Sequence, residues 1–177
     1  MDQCDKKALR KEYKIIRRDI KDKTLKSTII SNKIKNLEIF KDSLFICFYK
    51  HKDDEVDIDE LIEYSLKENK KVYLPRVIDD DNMEFYEIKS MKDLNHLSDY
   101  SILEPNITNV PDRIDLMIVP GIVFSMDGYR VGYGKGYYDK YLNNRDIYTI
   151  GVTYKECIVP KINTNSFDKK MNIIITD

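Results

Sequence analysis

The sequence predicts an α/β fold, a single-domain three-layer sandwich in which helices flank a largely parallel sheet. Apolar runs of strand length alternate along the chain with amphipathic segments of helix length. The 177 residues contain no internal repeat and no Pro/Ser-rich linker, and this length suits one domain with a substantial core. We therefore expect one domain over residues 1–177.

Helical periodicity opens the chain. It runs from Asp5 to about Leu37, with a break near Thr24. The first half carries apolar residues at three- and four-residue steps, namely Leu9, Tyr13, Ile16 and Ile20, and the second half carries Ile29, Ile30, Ile34 and Leu37. Most of the basic residues between Lys6 and Lys26 are expected on the solvated face of these helices.

Strand and helix signals alternate through the rest of the chain. The expected strands are Leu44–Tyr49, Lys71–Pro75 (ended by its proline), a more exposed Met83–Ile88, a strongly buried Asp115–Pro120, Tyr148–Thr153 and Asn172–Thr176. Asp57–Asn69 is expected as a helix that begins near Asp57 or Asp59, with Leu61, Ile62 and Leu66 facing inward, and Tyr137–Leu142 as a short one.

Bulk composition argues against several classes of partner. The 30 basic residues nearly balance the 31 acidic ones, so there is no global electrostatic case for binding nucleic acid or membrane. The N-terminus lacks a signal-peptide core, and no apolar run is long enough to span a bilayer. Cys4, Cys47 and Cys157 form no CxxC pair, which favours reduced thiols in the cytoplasm.

The segment RVGYGKGYYDKYL (Arg130–Leu142) concentrates three of the six glycines of the chain. A glycine loop that opens into a helix can offer backbone N–H groups to a phosphate. Lys135 and Arg130 add positive charge, and Asp139 is placed to hold a divalent cation beside the phosphates. The spacing matches neither the P-loop nor the dinucleotide fingerprint. A tight structural turn, with Tyr133, Tyr137 and Tyr138 packed on the sheet, is the alternative.

The longer segment PGIVFSMDGYRVGYGKGYYDKYL (Pro120–Leu142) resembles the signature of the 5-formyltetrahydrofolate cyclo-ligases. Further blocks resemble that family in the same order: KKALR (Lys6–Arg10), DEVDIDELI (Asp54–Ile62), VYLPRV (Val72–Val77), Glu104–Pro105 and FDKKMNIIITD (Phe167–Asp177). The sequence departs from the family pattern at Ile58, Phe167 and Asn172, where threonine, histidine and aspartate are usual.

The resemblance implies an ATP- and magnesium-dependent enzyme that cyclises 5-formyltetrahydrofolate to 5,10-methenyltetrahydrofolate. It implies catalytic roles for Arg130 and Lys135. The implied ATP-binding residues are these two with Lys6, Arg10, Gly132, Tyr133, Gly134, Gly136 and Tyr138. The implied folate-binding residues are Lys50, Glu55 and Tyr137, and the implied metal ligands are Asp139 and Asp168. Glu55 and Asp168 could instead be ordinary loop carboxylates.

The expected partners are ATP and a reduced folate, with or without a polyglutamate tail, and the expected state is a monomer. Two alternatives remain open at this stage. One is a sugar-phosphate or CoA-processing enzyme with similar sheet architecture, and the other is a nucleotide-binding protein that has lost turnover.

Overall fold

The computed structural model describes residues 5–177, so the prediction for Cys4 lies outside the described range. Its helices are α1 (Lys6–Asp19), α2 (Lys23–Lys35), α3 (Glu38–Asp42), α4 (Asp59–Lys67) and α5 (Tyr137–Leu142). Its strands are β1 (Phe45–Cys47), β2 (Lys71–Val77), β3 (Met83–Ile88), β4 (Leu94–Leu97), β5 (Leu103–Pro105), β6 (Leu116–Pro120), β7 (Val123–Ser125), β8 (Arg130–Val131), β9 (Tyr148–Val152), β10 (Ile158–Val159) and β11 (Ile173–Ile175).

The main sheet of this range has six strands in the order β11-β9-β6-β1-β2-β3. Every neighbouring pair is parallel except β2 and β3. The predicted α/β class with a largely parallel sheet is therefore confirmed. Each predicted strand is present, and most are shorter by a residue or more at their ends.

Alternate residues of the central strands enter two separate cores. On one face, Ile46 and Ile118 belong to the same cluster as residues of α2 and α4, including Ile30, Ile34, Leu61 and Ile62. On the other face, Cys47 and Met117 pack with Tyr141 and Leu142 of α5. This period-two alternation is what a sheet covered on both faces requires, and it confirms that helices flank the sheet.

Pro75 does not end β2, contrary to the sequence prediction, because the strand continues to Val77. The carbonyl of Tyr73 accepts a hydrogen bond from the N–H of Phe48. The main-chain N–H and C=O groups of odd-numbered residues in β2 therefore point toward β1. The β1–β2 ladder stops at Cys47 and Tyr73, and Pro75 therefore lies beyond its end. The missing N–H of Pro75 costs no ladder bond there.

The expectation of an exposed third strand is wrong. In β3, Met83, Phe85, Tyr86 and Ile88 are all buried. α5 covers this edge strand, with the ring of Phe85 centred 4.8 Å from that of Tyr141 and 6.4 Å from that of Tyr138. The apolar side chains of this strand are therefore shielded from solvent, although the strand lies at the edge of the sheet.

A second, three-stranded sheet has the order β10-β7-β8. Along the chain, β7 and β8 lie between β6 and α5, and β10 follows β9. This sheet was not predicted from the sequence, and its strands span only two or three residues each. It places Arg130 in a strand and not in a loop. The antiparallel hairpin β4–β5 was also not predicted.

The break between the first two helices comes earlier than expected, since α1 ends at Asp19 and α2 begins at Lys23. Cys47 and Cys157 are buried free thiols, and burial raises the pKa of both. Among residues 5–177, no helix combines the length and the apolar character that crossing a bilayer requires.

Candidate active site

A cavity of about 670 Å³ opens at the carboxyl edge of the main sheet. Tyr49 just beyond β1, Val77 at the end of β2 and Pro120 at the end of β6 form part of its wall, which is where parallel sheets bind ligands. Every site residue suggested by the sequence lines this one cavity: Lys6, Arg10, Lys50, Glu55, Arg130, Gly132, Tyr133, Gly134, Lys135, Gly136, Tyr137, Tyr138, Asp139 and Asp168.

The glycine segment turns through backbone conformations that side chains disfavour. Gly134 has φ +111° and Gly136 has φ +71°, both in the region that glycine reaches cheaply. A Cβ added at Gly132 would meet nothing within 4 Å, so its absence leaves open space beside the main chain. The segment therefore allows a ligand to approach the backbone closely.

Two other glycines near this segment serve packing. A Cβ on Gly121 would lie 2.6 Å from the ring of Phe124, and a Cβ on Gly151 would lie 2.4 Å from it. Phe124 is fully buried between them. Close approach of β7 to the main sheet therefore explains these two glycines without a ligand.

Arg130 projects from β8 and holds Asp139 of α5. Its Nη1 and Nη2 donate to the two carboxylate oxygens at 2.9 and 3.3 Å, a bidentate geometry that fixes both groups. Nε of Arg130 is buried with no hydrogen-bond partner among residues 5–177. The main-chain N–H of Lys169 also donates to Asp139 at 3.0 Å, which brings Asp139 next to Asp168.

α1 supplies two cations from successive turns. Lys6 Nζ pairs with the carboxylate of Asp168, and Nε of Arg10 donates to the carbonyl oxygen of Gly132 at 2.8 Å. The i, i+4 spacing places both side chains on one face of the helix. That face closes the cavity on the side of the glycine segment.

Lys135 reaches toward an acidic turn between β2 and β3. Its Nζ donates to Asp80 at 2.9 Å, and the side chain of Lys135 is 48% exposed. The hydroxyl of Tyr137 donates to the carbonyl of Asp79 at 3.2 Å. An exposed ion pair of this kind is weak, so the amine of Lys135 is free to exchange Asp80 for another anion.

Glu55 is a buried carboxylate in the loop after β1, with 7% of its surface exposed. Burial raises the pKa of Glu55, and the N–H of Lys52, which donates at 2.8 Å, together with the charge of Arg17 opposes that rise. Its second oxygen lies 3.9 Å from Nη2 of Arg17. The wall of the cavity thus carries a carboxylate able to accept paired N–H donors.

Lys50 lies beside a cluster at the start of α4. Its Nζ pairs with Asp59, whose carboxylate is also 3.5 Å from Nε2 of His51. His51, Asp57 and Asp59 offer ligand atoms within 4.8 Å of one another, the one such group of three among residues 5–177. His51 pairs with both aspartates and Lys50 pairs with Asp59, while Oδ1 of Asp59 is buried with no hydrogen-bond partner among residues 5–177.

Arg17 and Glu104 were not predicted as site residues. The bases of α1 were expected largely in solvent, yet Arg17 is 1% exposed. Glu104 lines the cavity and accepts the N–H of Val77 at 3.1 Å, and burial raises its pKa. The signal for Arg17 was its spacing of seven residues from Arg10, which returns to the same helix face.

The three departures from the family pattern have different surroundings. Ile58 is fully buried in the core with α2 and α4 and does not line the cavity. Asn172 accepts hydrogen bonds from the N–H and hydroxyl of Thr149 at 2.8 and 2.9 Å, which tie β9 to the segment before β11. Phe167 lines the cavity and is 78% exposed.

Comparisons with known proteins match almost the whole chain to one family. A model of the 5-formyltetrahydrofolate cyclo-ligase family matches residues 2–177. The mouse 5-formyltetrahydrofolate cyclo-ligase is 27% identical over 187 residues, covering 96% of this chain and 92% of the mouse protein.

Two solved structures share the fold. The 5,10-methenyltetrahydrofolate synthetase of Mycoplasma pneumoniae matches with a TM-score of 0.79 and 27% identity, covering 98% of this chain and 99% of that one. The NMR structure of the Aquifex aeolicus 5,10-methenyltetrahydrofolate synthetase matches with a TM-score of 0.84 and 28% identity, covering 96% and 88%.

Proposed function

The chain belongs to the 5-formyltetrahydrofolate cyclo-ligase family, and from this membership we infer that it converts 5-formyltetrahydrofolate and ATP to 5,10-methenyltetrahydrofolate, ADP and phosphate. One observation supports locating this reaction in the cavity. A single cavity collects the glycine segment, its cations and a buried carboxylate at the carboxyl edge of the sheet.

The reaction must turn a poor leaving group, the formyl oxygen, into a good one. The γ-phosphoryl group passes to that oxygen and ADP leaves. The side-arm nitrogen of the folate then attacks the formyl carbon and loses its proton, and the phosphate departs with the former formyl oxygen. Phosphoryl transfer depends on positioning and charge neutralisation, so the proposal needs no protein nucleophile.

We assign the nucleotide to the side of the cavity formed by the glycine segment and α1. The main-chain amides at Gly132, Gly134 and Gly136 would bind phosphate oxygens. Lys135 and Arg130 would neutralise charge on the transferring group. Lys6, Arg10, Tyr133 and Tyr138 complete this side of the wall.

Asp139 and Asp168 are the proposed ligands of Mg²⁺. Hard carboxylate oxygens suit this ion, which binds through one or two carboxylates together with phosphates and water. When bound, Mg²⁺ would neutralise phosphate charge. In the structure, Arg130 and Lys6 hold these carboxylates, so the two cations keep both groups oriented.

We assign the folate to the side that carries Glu55, Lys50 and Tyr137. The amino-pyrimidinone edge of a pterin presents paired N–H donors, and an ionised carboxylate accepts them. Glu55 is buried and already oriented by the N–H of Lys52. This makes it the group on that wall best suited to recognise the pterin.

The test is direct. Purified protein is mixed with the natural stereoisomer of 5-formyltetrahydrofolate, ATP and magnesium, and the near-ultraviolet absorbance of the methenyl product is followed. A rise that depends on both substrates supports the proposal. Folded protein that yields no product would overturn the proposal.

The comparisons favour the cyclo-ligase over the sugar-phosphate or CoA-processing alternative, because the family match spans residues 2–177. The magnesium requirement, the monomeric state, the acceptance of a polyglutamate tail and the cytoplasmic location stay predictions from the sequence.

A further inference from the structure

Arg17 is a buried cation in a helix whose other bases are mostly exposed. It follows Arg10 by seven residues on the same face of α1, and 1% of its surface is accessible. A guanidinium is costly to bury unless its donors are satisfied and its charge is balanced. The groups that accept hydrogen bonds from the Arg17 guanidinium and balance its charge therefore indicate its role.

Its partners come from three separate segments. Nε donates to the carbonyl of Asp54 at 3.0 Å, and Nη2 lies 3.2 Å from the carboxylate of Asp54. Nη2 also donates to the hydroxyl of Tyr133 at 3.3 Å, and Nη1 to the carbonyl of Gly121 at 3.5 Å. One side chain thus joins the loop after β1, the turn after β6 and the glycine segment.

Two of these segments belong to different halves of the proposed site. The loop that holds Asp54 carries Glu55, the proposed pterin ligand, and Nη2 of Arg17 is 3.9 Å from its carboxylate. Tyr133 lies between Gly132 and Gly134, the proposed phosphate ligands. A second contact joins the same two segments, because Lys52 Nζ lies 3.8 Å from the centre of the Tyr133 ring.

We infer that Arg17 is a positioning residue that couples the folate site to the ATP site, an inference that rests on the proposed function. A nucleotide that orders the glycine segment fixes Tyr133, and through Arg17 and Asp54 it fixes the loop that carries Glu55. Binding linkage is reciprocal, so each ligand strengthens the other by the same factor.

Calorimetry without turnover measures this factor. The dissociation constant of a non-hydrolysable ATP analogue with Mg²⁺ is determined with and without 5-formyltetrahydrofolate, and the reverse titration is made as well. We expect the wild type to bind each ligand about fivefold or more tightly when the other is present. In Arg17→Lys, which keeps the charge but loses the planar fork, the factor falls towards one.

Tyr133→Phe is the second variant, because Arg17→Lys could fail to fold. It keeps the ring and removes the hydroxyl that accepts from Arg17 at 3.3 Å and donates to Asp54 at 3.5 Å, and it also lowers the factor. Arg18→Lys is the matched control, since Arg18 is the next residue of α1 and its side chain is 73% exposed. It keeps the wild-type factor.

The outcomes separate this inference from the proposed function. Wild-type protein that binds no 5-formyltetrahydrofolate and forms no product overturns the function. Wild-type protein that is active but binds the two ligands independently overturns the coupling alone. Wild-type coupling that persists unchanged in Tyr133→Phe overturns the role of Arg17, whether or not Arg17→Lys folds.

Discussion

Lys135 and Glu55 carry opposite charges and line the same cavity, and their surroundings predict different consequences of substitution. Lys135 is about half exposed and its partner Asp80 is more exposed still, so its ion pair adds little to stability. Lys135→Ala is therefore expected to lower kcat on the order of 10²–10³-fold while the midpoint of thermal unfolding stays near that of the wild type. Activity assays and thermal melts measure the two quantities. Unchanged activity, or an unfolded variant, would refute the phosphate role.

Glu55→Gln is expected to act on the folate and not on ATP. The amide replaces one acceptor oxygen with a donor, so a bidentate charge-assisted contact is lost. The KM for 5-formyltetrahydrofolate should rise roughly tenfold to a hundredfold with little change in the KM for ATP. Glu60→Gln is the control, because Glu60 is exposed on α4. A larger effect on the KM for ATP would contradict the assignment of Glu55.

The same carboxylate predicts a pH dependence. Burial raises the pKa of Glu55, opposed by the N–H of Lys52 and the charges of Arg17 and Lys52, while Asp54 adds to the rise. Because the ionised form accepts the pterin N–H groups, folate binding should weaken as pH falls. The loss should begin at a higher pH than for an ordinary glutamate, whose pKa is about 4.3. Titration of the folate dissociation constant against pH checks this, and Glu55→Gln should abolish the acid limb.

At the residue scale, residues of an unusual motif could be recognised from the sequence more readily than a buried cation outside one. Gly132, Gly134 and Lys135 are recognisable because their spacing is unusual and forms a motif. Arg17 and Arg18 are adjacent and identical in type, and only the seven-residue spacing of Arg17 from Arg10 distinguishes the buried guanidinium from the solvated one in the sequence. The difference arises from tertiary packing against the loop that holds Asp54.

At the scale of elements, the ion pairs at the start of α4 make the unfolding free energy depend on pH. The hydrogen bond to Asp59 raises the pKa of His51, against the opposing effect of burial, with further support from Asp57. A raised pKa in the folded state means that the contribution of His51 is fully present below its unfolded pKa of about 6.5 and is lost as pH rises through the folded value. His51→Asn should flatten the unfolding free energy across this window, by about 1 kcal/mol or less. Urea unfolding at several pH values measures it, with His96→Asn, exposed on β4, as control.

Gly151 in a strand and Gly132 in the glycine segment predict opposite results for the same substitution to alanine. Gly151→Ala in β9 places a Cβ 2.4 Å from the buried ring of Phe124, so overpacking should cost about 1–3 kcal/mol of stability. Gly132→Ala meets open space and should keep the wild-type stability while weakening ATP binding. Denaturant unfolding and calorimetry test the pair. Equal stability of the two variants would contradict this division between packing and ligand contact.

The strands of the main sheet were predictable from the sequence, whereas those of the small three-stranded sheet were not. β6 and α5 showed clear patterns, whereas β7, β8 and β10 have two or three residues and no measurable period. Their place is decided by the contact of Phe124 with Gly121 and Gly151, which no local pattern encodes. The small sheet nevertheless positions Arg130, so an element invisible in the sequence orients a residue that the sequence identified.

At the scale of the whole molecule, the cavity is closed by residues from distant parts of the chain. Lys6 of α1 pairs with Asp168 near the other end of the sequence, 162 positions away, and Lys135 pairs with Asp80 of the β2–β3 turn. The site lies where parallel sheets generally bind ligands, at the carboxyl edge. This rule does not predict the two ion pairs that close the cavity, because they depend on how the loops of different strands contact one another.

A site assembled from so many segments should make ligand binding a global stabiliser. A ligand that binds only the folded state adds RT ln(1 + [L]/Kd), about 2.7 kcal/mol at a hundredfold excess over Kd. For a chain of 177 residues this corresponds to a rise in the unfolding midpoint of roughly 5–10 °C. We expect that rise with a non-hydrolysable ATP analogue and Mg²⁺, and a much smaller one in Lys135→Ala at the same concentration. Differential scanning calorimetry measures both. A rise of wild-type size in Lys135→Ala would show that the triphosphate binds away from the glycine segment, and the ATP assignment would then have to be abandoned.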